Sequence, residues 1–225
     1  MAEVAACTVR GLAKSYDGVP VFADLDLDVP RGEVLAIVGP NGSGKTTLLQ
    51  CVAGLLDITA GVVEIGGIRV DPVRDQPELR RKLAVATDEP ALYEDMTPWQ
   101  HARFVGGAWG VDDVEPLFAE LLDGFDLTDR GDDQVGSLSR GMRQKVALAL
   151  AFCHPADLYL VDEPFSGLDS RGREAFLSQL DRVCRAGGAA IVATHALGRV
   201  REFAASILDM APHEAADLLT GRDEV

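Results

Sequence analysis

Residues 34–47 read V-L-A-I-V-G-P-N-G-S-G-K-T-T: a short apolar run, a glycine-rich turn, then lysine and threonine opening the stretch T-T-L-L-Q-C-V-A-G. No other part of the chain constrains the fold so tightly. The pattern G-x-x-x-x-G-K-[ST] works where a strand feeds its C-terminal end into a tight turn and a helix starts at once. Glycines let the backbone wrap until successive N–H groups point inward, and the helix N-terminus adds its partial positive charge. That nest suits phosphate. Gly39, Pro40, Asn41, Gly42, Ser43, Gly44, Lys45, Thr46 and Thr47 are therefore the candidate phosphate-binding residues. Lys45 is placed to neutralise β- and γ-phosphates, and the Thr46 hydroxyl to ligate Mg²⁺.

The remaining pattern agrees with a sheet built around that strand. Residues 3–12 and 22–29 alternate apolar and polar as strands do, and 34–38 reads as a buried strand. A helix is expected over 44–54, and a small hairpin around Gly66 and Gly67. A helical stretch over 98–123 is broken by G-A-W-G, and a second helix runs from 139 to about 153. Then come a buried strand at 158–161, a helix near 170–186, a strand at 189–193 and a short helix after His195. Strand–helix alternation with near-continuous apolar strands predicts an α/β fold, with a mostly parallel sheet covered on both faces.

Composition works here by exclusion. Thirty-six acidic residues against 21 basic ones leave a net charge of −15, and no basic stripe is present of the kind that holds nucleic acid. The same sign disfavours adhesion to an anionic leaflet. The longest unbroken apolar run, Val146–Cys153, falls far short of the roughly 18 residues that cross a bilayer, so no direct membrane insertion is expected. The start, M-A-E-V-A-A-C-T-V-R, lacks the basic and apolar blocks of a signal peptide. Cys7, Cys51, Cys153 and Cys184 lie far apart and read as small buried residues of a reducing compartment.

D-L-Y-L-V-D-E-P ends an apolar strand in two carboxylates, the pattern that puts acids at the C-terminal edge of a parallel sheet. Asp162 is the candidate to hold Mg²⁺ through water, and Glu163 the candidate general base for an attacking water. Two such acids could also be a solvated turn; the phosphate loop upstream favours catalysis. No N-K-x-D motif for guanine occurs, so adenine is the expected base. Tyr16, in K-S-Y-D-G-V-P, is the candidate stacking face, a half-buried strand-end tyrosine being the alternative.

A second glycine motif, S-L-S-R-G-M-R-Q-K-V at 137–146, heads an alanine-rich helix. Taken in order, G-P-N-G-S-G-K-T-T, L-S-R-G-M-R-Q, L-Y-L-V-D-E-P, S-G-L-D and T-H resemble the motif set of ABC transporter ATP-binding subunits across nearly the whole chain. The resemblance implies a P-loop ATPase fold. Its parts would be a parallel core sheet, a small antiparallel β subdomain and a helical lobe over about 88–150, all within one domain spanning 1–225 with a short acidic tail at 210–225. It implies ATP and Mg²⁺ as ligands, and two domains closing head to tail on two nucleotides. Ser139 and the Gly141 backbone would grip the γ-phosphate held by a second ATP-binding subunit, a copy or a paralogue. Asp169 would link the two sites, and His195 would sense the γ-phosphate.

The chain departs from the family pattern in three places. Arg140 and Met142 stand in a signature usually close to L-S-G-G-Q; Arg140 can point outward, and Met142 removes an amide. A glutamine usual beside Mg²⁺ is here Asp88; a carboxylate can still ligate the metal, and its added negative charge near the triphosphate leaves room for slower turnover. The tail lacks the hairpin many relatives carry. The family implies transport by separate transmembrane permease subunits, with this subunit cytoplasmic on the inner face of the membrane. Tyr93, Met96 and Trp99 fall where a coupling surface is expected, or simply pack the lobe. P-A-L-Y-E-D-M-T with S-R-G-M-R-Q is similar to an export branch. A soluble ATPase of the superfamily, or a slow regulatory subunit, are the other readings.

Overall fold

The structure, a computed structural model, describes residues 5–72, 74–201 and 203–210. The first residues of the expected 3–12 strand, and the tail apart from Met210, lie outside the described residues. Strands β1 (Cys7–Tyr16), β2 (Val19–Val29), β4 (Ala60–Ile65) and β5 (Ile68–Arg69) form an antiparallel sheet in the order β2-β1-β4-β5. Strands β3 (Val34–Val38), β6 (Leu83–Ala86), β7 (Leu158–Asp162), β8 (Ala189–Thr194) and β9 (Ser206–Asp209) form a parallel sheet in the order β6-β7-β8-β3-β9. The helices are α1 (Lys45–Val52), α2 (Pro77–Arg81), α3 (Pro98–Trp109), α4 (Glu115–Gly124), α5 (Arg140–Phe152), α6 (Ser170–Arg185) and α7 (Leu197–Val200).

Every residue of β3, β7 and β8 is buried, because these three strands serve two cores at once. Leu158, Leu160, Ile191 and Ala193 point to one core, with Leu48 and Val52 of α1 and with Val9, Leu12, Val63 and Ile65 of the antiparallel sheet. Tyr159, Val161, Ala190 and Val192 point to the other, which α3–α6 close with Phe118, Leu122, Leu148, Phe152 and Phe176. Period-two alternation between two apolar faces is what makes each strand a continuous apolar run. The cysteines fit this packing: Cys7, Cys51 and Cys153 are buried, Cys184 is half-buried, and all four are free. Burial pushes the thiols of Cys7 and Cys153 up to about 12.

The expected strand at 34–38 and the helices near 139–153 and 170–186 appear within a residue or two. The helical stretch at 98–123 does break, with Gly110 ending α3 in the left-handed conformation. Its start is a capping box in which Thr97 and Gln100 exchange side-chain and backbone bonds. The edge strands β6 and β9 go beyond the sequence reading. Leu-Ala-Val-Ala is too short after R-R-K to show a period, and β9 is largely exposed.

β1 also differs, running on to Tyr16. Its buried positions are Cys7 and Val9, then Leu12 and Lys14, so the inward phase changes at a bulge around Gly11. Gly61 of β4 faces that bulge at φ 96°, and a Cβ there would lie 2.5 Å from the Gly11 carbonyl oxygen and 2.6 Å from the Leu12 Cα. Both obstacles are backbone and cannot swing away. Gly61→Ala should therefore cost about 2–4 kcal/mol. Urea unfolding measures it, and a change under about 0.5 kcal/mol, the level of an ordinary surface substitution, would mean the two strands part freely at the bulge.

Candidate functional site

The phosphate loop leaves the buried end of β3 and enters α1 with Gly39, Gly42 and Gly44 all at positive φ. Lys45, the first residue of α1, is buried, and its Nζ donates to the carbonyls of Gly39 (2.9 Å) and Pro40 (3.1 Å). The same Nζ lies 3.6 Å from Glu163 Oε1. The cation that the sequence assigns to phosphate is thus folded back on its own loop and on the candidate base.

Across the sheet, β7 brings Asp162 to the head of α1. The Thr46 hydroxyl donates to Asp162 Oδ2 at 2.6 Å, joining residues 116 positions apart. The other oxygen, Oδ1, is buried without a partner among the described residues, as is Ser43 Oγ in the loop. Burial raises the Asp162 carboxyl above the ordinary aspartate range; Thr46 opposes this, while the charges of Glu163 and Asp88 add to it. A buried carboxylate with an unanswered oxygen and a hydroxyl beside it is a fitting donor pair for a hard divalent cation that keeps its waters, such as Mg²⁺. No cluster of three or more His, Cys, Asp or Glu with metal-binding spacing occurs among the described residues. A metal here would need ligands from its nucleotide and water.

Glu163 follows at φ 45°, a left-handed conformation costly for a non-glycine residue. Its backbone N–H is held by the Ala193 carbonyl at 2.9 Å. His195, at the end of β8, places Nδ1 2.9 Å from Glu163 Oε2, and a carboxylate only accepts, so Nδ1 carries the proton. Asn41, Gly42, Lys45, Thr46, Thr47, Asp88, Asp162 and Glu163 all line one cavity of about 450 Å³. Tyr16 stands outside that lining, about half exposed at the end of β1, with Lys14 Nζ 4.6 Å over its ring.

The second glycine motif is built against a different neighbour. Ser139 caps α5, its hydroxyl accepting the Met142 N–H at 3.3 Å. A Cβ on Gly141 would lie 2.7 Å from the Gly167 carbonyl, so the close approach that demands glycine is made within the chain, to S-G-L-D. Asp169 is likewise engaged in its own chain. Oδ1 caps α6 through the Gly172 N–H (2.8 Å) and Oδ2 meets the buried Lys145 at 3.0 Å. The cap and then Lys145 hold its carboxyl below the ordinary range. Arg140 does not simply point outward: it lies 3.5 Å from Asp88 Oδ2.

Trp99 is corrected. It is half-buried and packs edge-on against Phe118 at 5.3 Å, so it belongs to the lobe's core. Met96 is half-buried and Tyr93 exposed. Tyr93 and Phe104, both 57% exposed, stand edge to face on an apolar groove of about 410 Å³ that Leu55, Val85 and Trp109 also line. Sequence reasoning missed Phe104, Leu55 and Val85 because a helix or strand pattern does not say which apolar residue stays uncovered. Lys145 did carry a signal: a lysine at the mouth of an apolar helix needs a counter-charge.

Residues 22–166 match the family model described as "ABC transporter". The chain is 33% identical to the SkfA peptide export ATP-binding protein SkfE of Bacillus subtilis (strain 168), over 89% of this chain and 83% of that one. It is 31% identical to the glutamine transport ATP-binding protein GlnQ of Escherichia coli (strain K12), over 88% and 85%. A solved structure described as the ATP binding subunit of an ABC transporter superposes with a TM-score of 0.84 at 31% identity, covering 91% of this chain and 85% of that one.

The orphaned oxygen of Asp162 yields a test without nucleotide. A folded-state pKa above the unfolded value means the native chain binds the extra proton, so this group's contribution to stability falls as pH rises. The penalty is absent below about pH 3.9, the ordinary aspartate value, and complete above the raised one. Asp162→Asn should stabilise the nucleotide-free protein by roughly 1 kcal/mol at pH 7.5 in EDTA, with the gain fading towards pH 4. Urea unfolding at both pH values decides; destabilisation at pH 7.5 would mean that the carboxylate is already satisfied.

Proposed function

The chain belongs to the ABC transporter family as an ATP-binding subunit, and on that premise we propose that it binds and hydrolyses ATP to drive export through separate transmembrane permease subunits. The observation that carries this reading is the single cavity in which the phosphate loop, Thr46–Asp162 and Glu163 meet. Adenine stacks on Tyr16, and the backbone N–H groups from Asn41 to Thr47 take the phosphates. Mg²⁺, held by Thr46 and Asp162 with Asp88 on the same cavity wall, supplies charge neutralisation of the phosphate oxygens.

The ion pairs of the nucleotide-free chain define what the residues then do. Lys45 leaves the Gly39 and Pro40 carbonyls for phosphate, and in doing so releases Glu163 Oε1. Oε2 stays oriented by His195. Glu163 therefore keeps one anchored oxygen and gains one free oxygen to take a proton from the attacking water. His195, 62% exposed on its side chain, stands outside the cavity lining and reaches the site through Glu163; its role toward the γ-phosphate comes from the family resemblance. Ser139 and Gly141 complete the site of a second ATP-binding subunit, a copy or a paralogue, with Asp169 holding that segment to α6. Hydrolysis reopens the pair and resets the permease.

The groove at Tyr93 and Phe104 is the surface offered to the permease, on the cytoplasmic side of the membrane. No helix among the described residues is long and apolar enough to cross it. Export is favoured over import by the likeness to SkfE, which is named for peptide export, and by the resemblance of P-A-L-Y-E-D-M-T with S-R-G-M-R-Q to export subunits.

Glu163→Gln should lower ATP turnover by roughly 10²–10⁴ while ATP stays bound. Light scattering should then show an ATP-dependent shift from monomer to dimer. Unchanged turnover would remove Glu163 as the base, and a chain that neither binds nor turns over ATP would remove the whole reading. Replacing Tyr93 and Phe104 together by serine should leave turnover by the isolated chain within about twofold, both being exposed, yet abolish its co-purification with a polytopic partner from membranes. Retained co-purification would place the permease elsewhere.

A further inference from the structure

Among the described residues three carboxylates, Asp88, Asp162 and Glu163, line the phosphate cavity, and Lys45 is the one lysine or arginine lining it. A triphosphate arriving there meets a wall of its own sign. Two of the acids are answered locally, Glu163 by Lys45 and His195, and Asp162 by the Thr46 hydroxyl. Asp88 sits on the loop between β6 and α3, and the group that reaches it is Arg140, whose guanidinium nitrogen lies 3.5 Å from Asp88 Oδ2. A cleft of about 320 Å³ beside the cavity holds both, together with Glu89, Glu94 and Arg143. Arg140 is the first residue of α5, between Ser139 and Gly141.

We propose that Arg140 is a positioning residue for its own chain's nucleotide site, acting through Asp88. By pairing with that carboxylate it holds it at the cavity rim and masks its charge from the incoming triphosphate. The inference rests on the ATP-binding reading above and adds to it a role within the chain for a residue of the segment assigned to the second subunit. Arg140 is largely solvated and Asp88 partly covered, 68% and 38% exposed, so the pair contributes little to the stability of the fold. Its effect is on the field inside the cavity, where Asp88 faces the ligand.

A binding cycle on the isolated chain, kept dilute enough to stay monomeric, tests this with a fluorescent ATP analogue in EDTA and in Mg²⁺. Arg140→Ala should weaken binding in EDTA by roughly three- to tenfold, the size of one partly screened charge. The loss should be smaller in Mg²⁺, which halves the charge of the ligand, and should shrink as salt is added. In an Asp88→Asn background the same substitution should change affinity by less than about twofold, and Arg140→Lys should restore the native value. An equal loss with and without Asp88 would mean that Arg140 meets the nucleotide directly. No loss in either background would make the pair an idle surface contact. Either result overturns the proposal while leaving ATP binding intact, whereas an unsubstituted chain that binds no ATP removes the functional reading and this inference with it.

Discussion

The bond from the Thr46 hydroxyl to Asp162 is where the two halves of the chain become one site. Thr46 is fixed by the phosphate loop and α1, and Asp162 by the last position of a strand that is buried throughout. Neither could reach the other unless β3 and β7 ran parallel with their C-terminal ends at one edge, β8 between them. The continuous apolar runs dictate that arrangement, because a strand buried on both faces needs helices above and below it. The carboxylate's position is thus a consequence of how the two cores are packed. Its unanswered oxygen marks the point where packing stops short of satisfying every group and leaves room for a ligand.

A second block is organised just as tightly for another purpose. The Gly141–Gly167 approach, the Lys145–Asp169 pair and the Asp169 cap on α6 tie the head of α5 to the segment that leaves Glu163. Ser166 closes this connection through its N–H to the Glu163 carbonyl at 3.0 Å. The head of α5 is thus bonded to the segment whose first residue, Glu163, stands in the left-handed conformation.

How far the sequence could be read follows from the same physics. The buried strands and the phosphate loop were legible because each needs a continuous run of residues of one kind: all apolar for β3, β7 and β8, glycine-rich for the loop. Asp162 and Glu163 were legible as the polar end of such a run. What escaped was set by partners distant in sequence. The phase change at Gly11 depends on Gly61, the exposure of Phe104 depends on what the lobe leaves uncovered, and β9 exists because β3 had a free edge. Trp99 shows the limit most clearly. Its place six residues after Tyr93 suggested a shared surface, but the turn before α3 puts its ring against Phe118.

Charge ties these threads together. A chain with 36 acids and 21 bases that binds a polyanion must keep its carboxylates from acting as a barrier. Several of its acids are paired: Lys45 with Glu163 and Arg140 with Asp88 at the cavity, and Lys145 with Asp169 at the head of α6. The three pairs differ in burial, and so in what they can do. Lys145 is buried and fixed, so its pair serves structure. Lys45 is buried but has a better anion to move to when phosphate arrives. Arg140 is 68% exposed on its side chain, so its pair can be made or broken at little cost. The acidic residue at position 88 and the basic one at 140 each look anomalous against the family pattern when read alone. Read as a pair they are of opposite sign and 3.5 Å apart, so each departure answers the other.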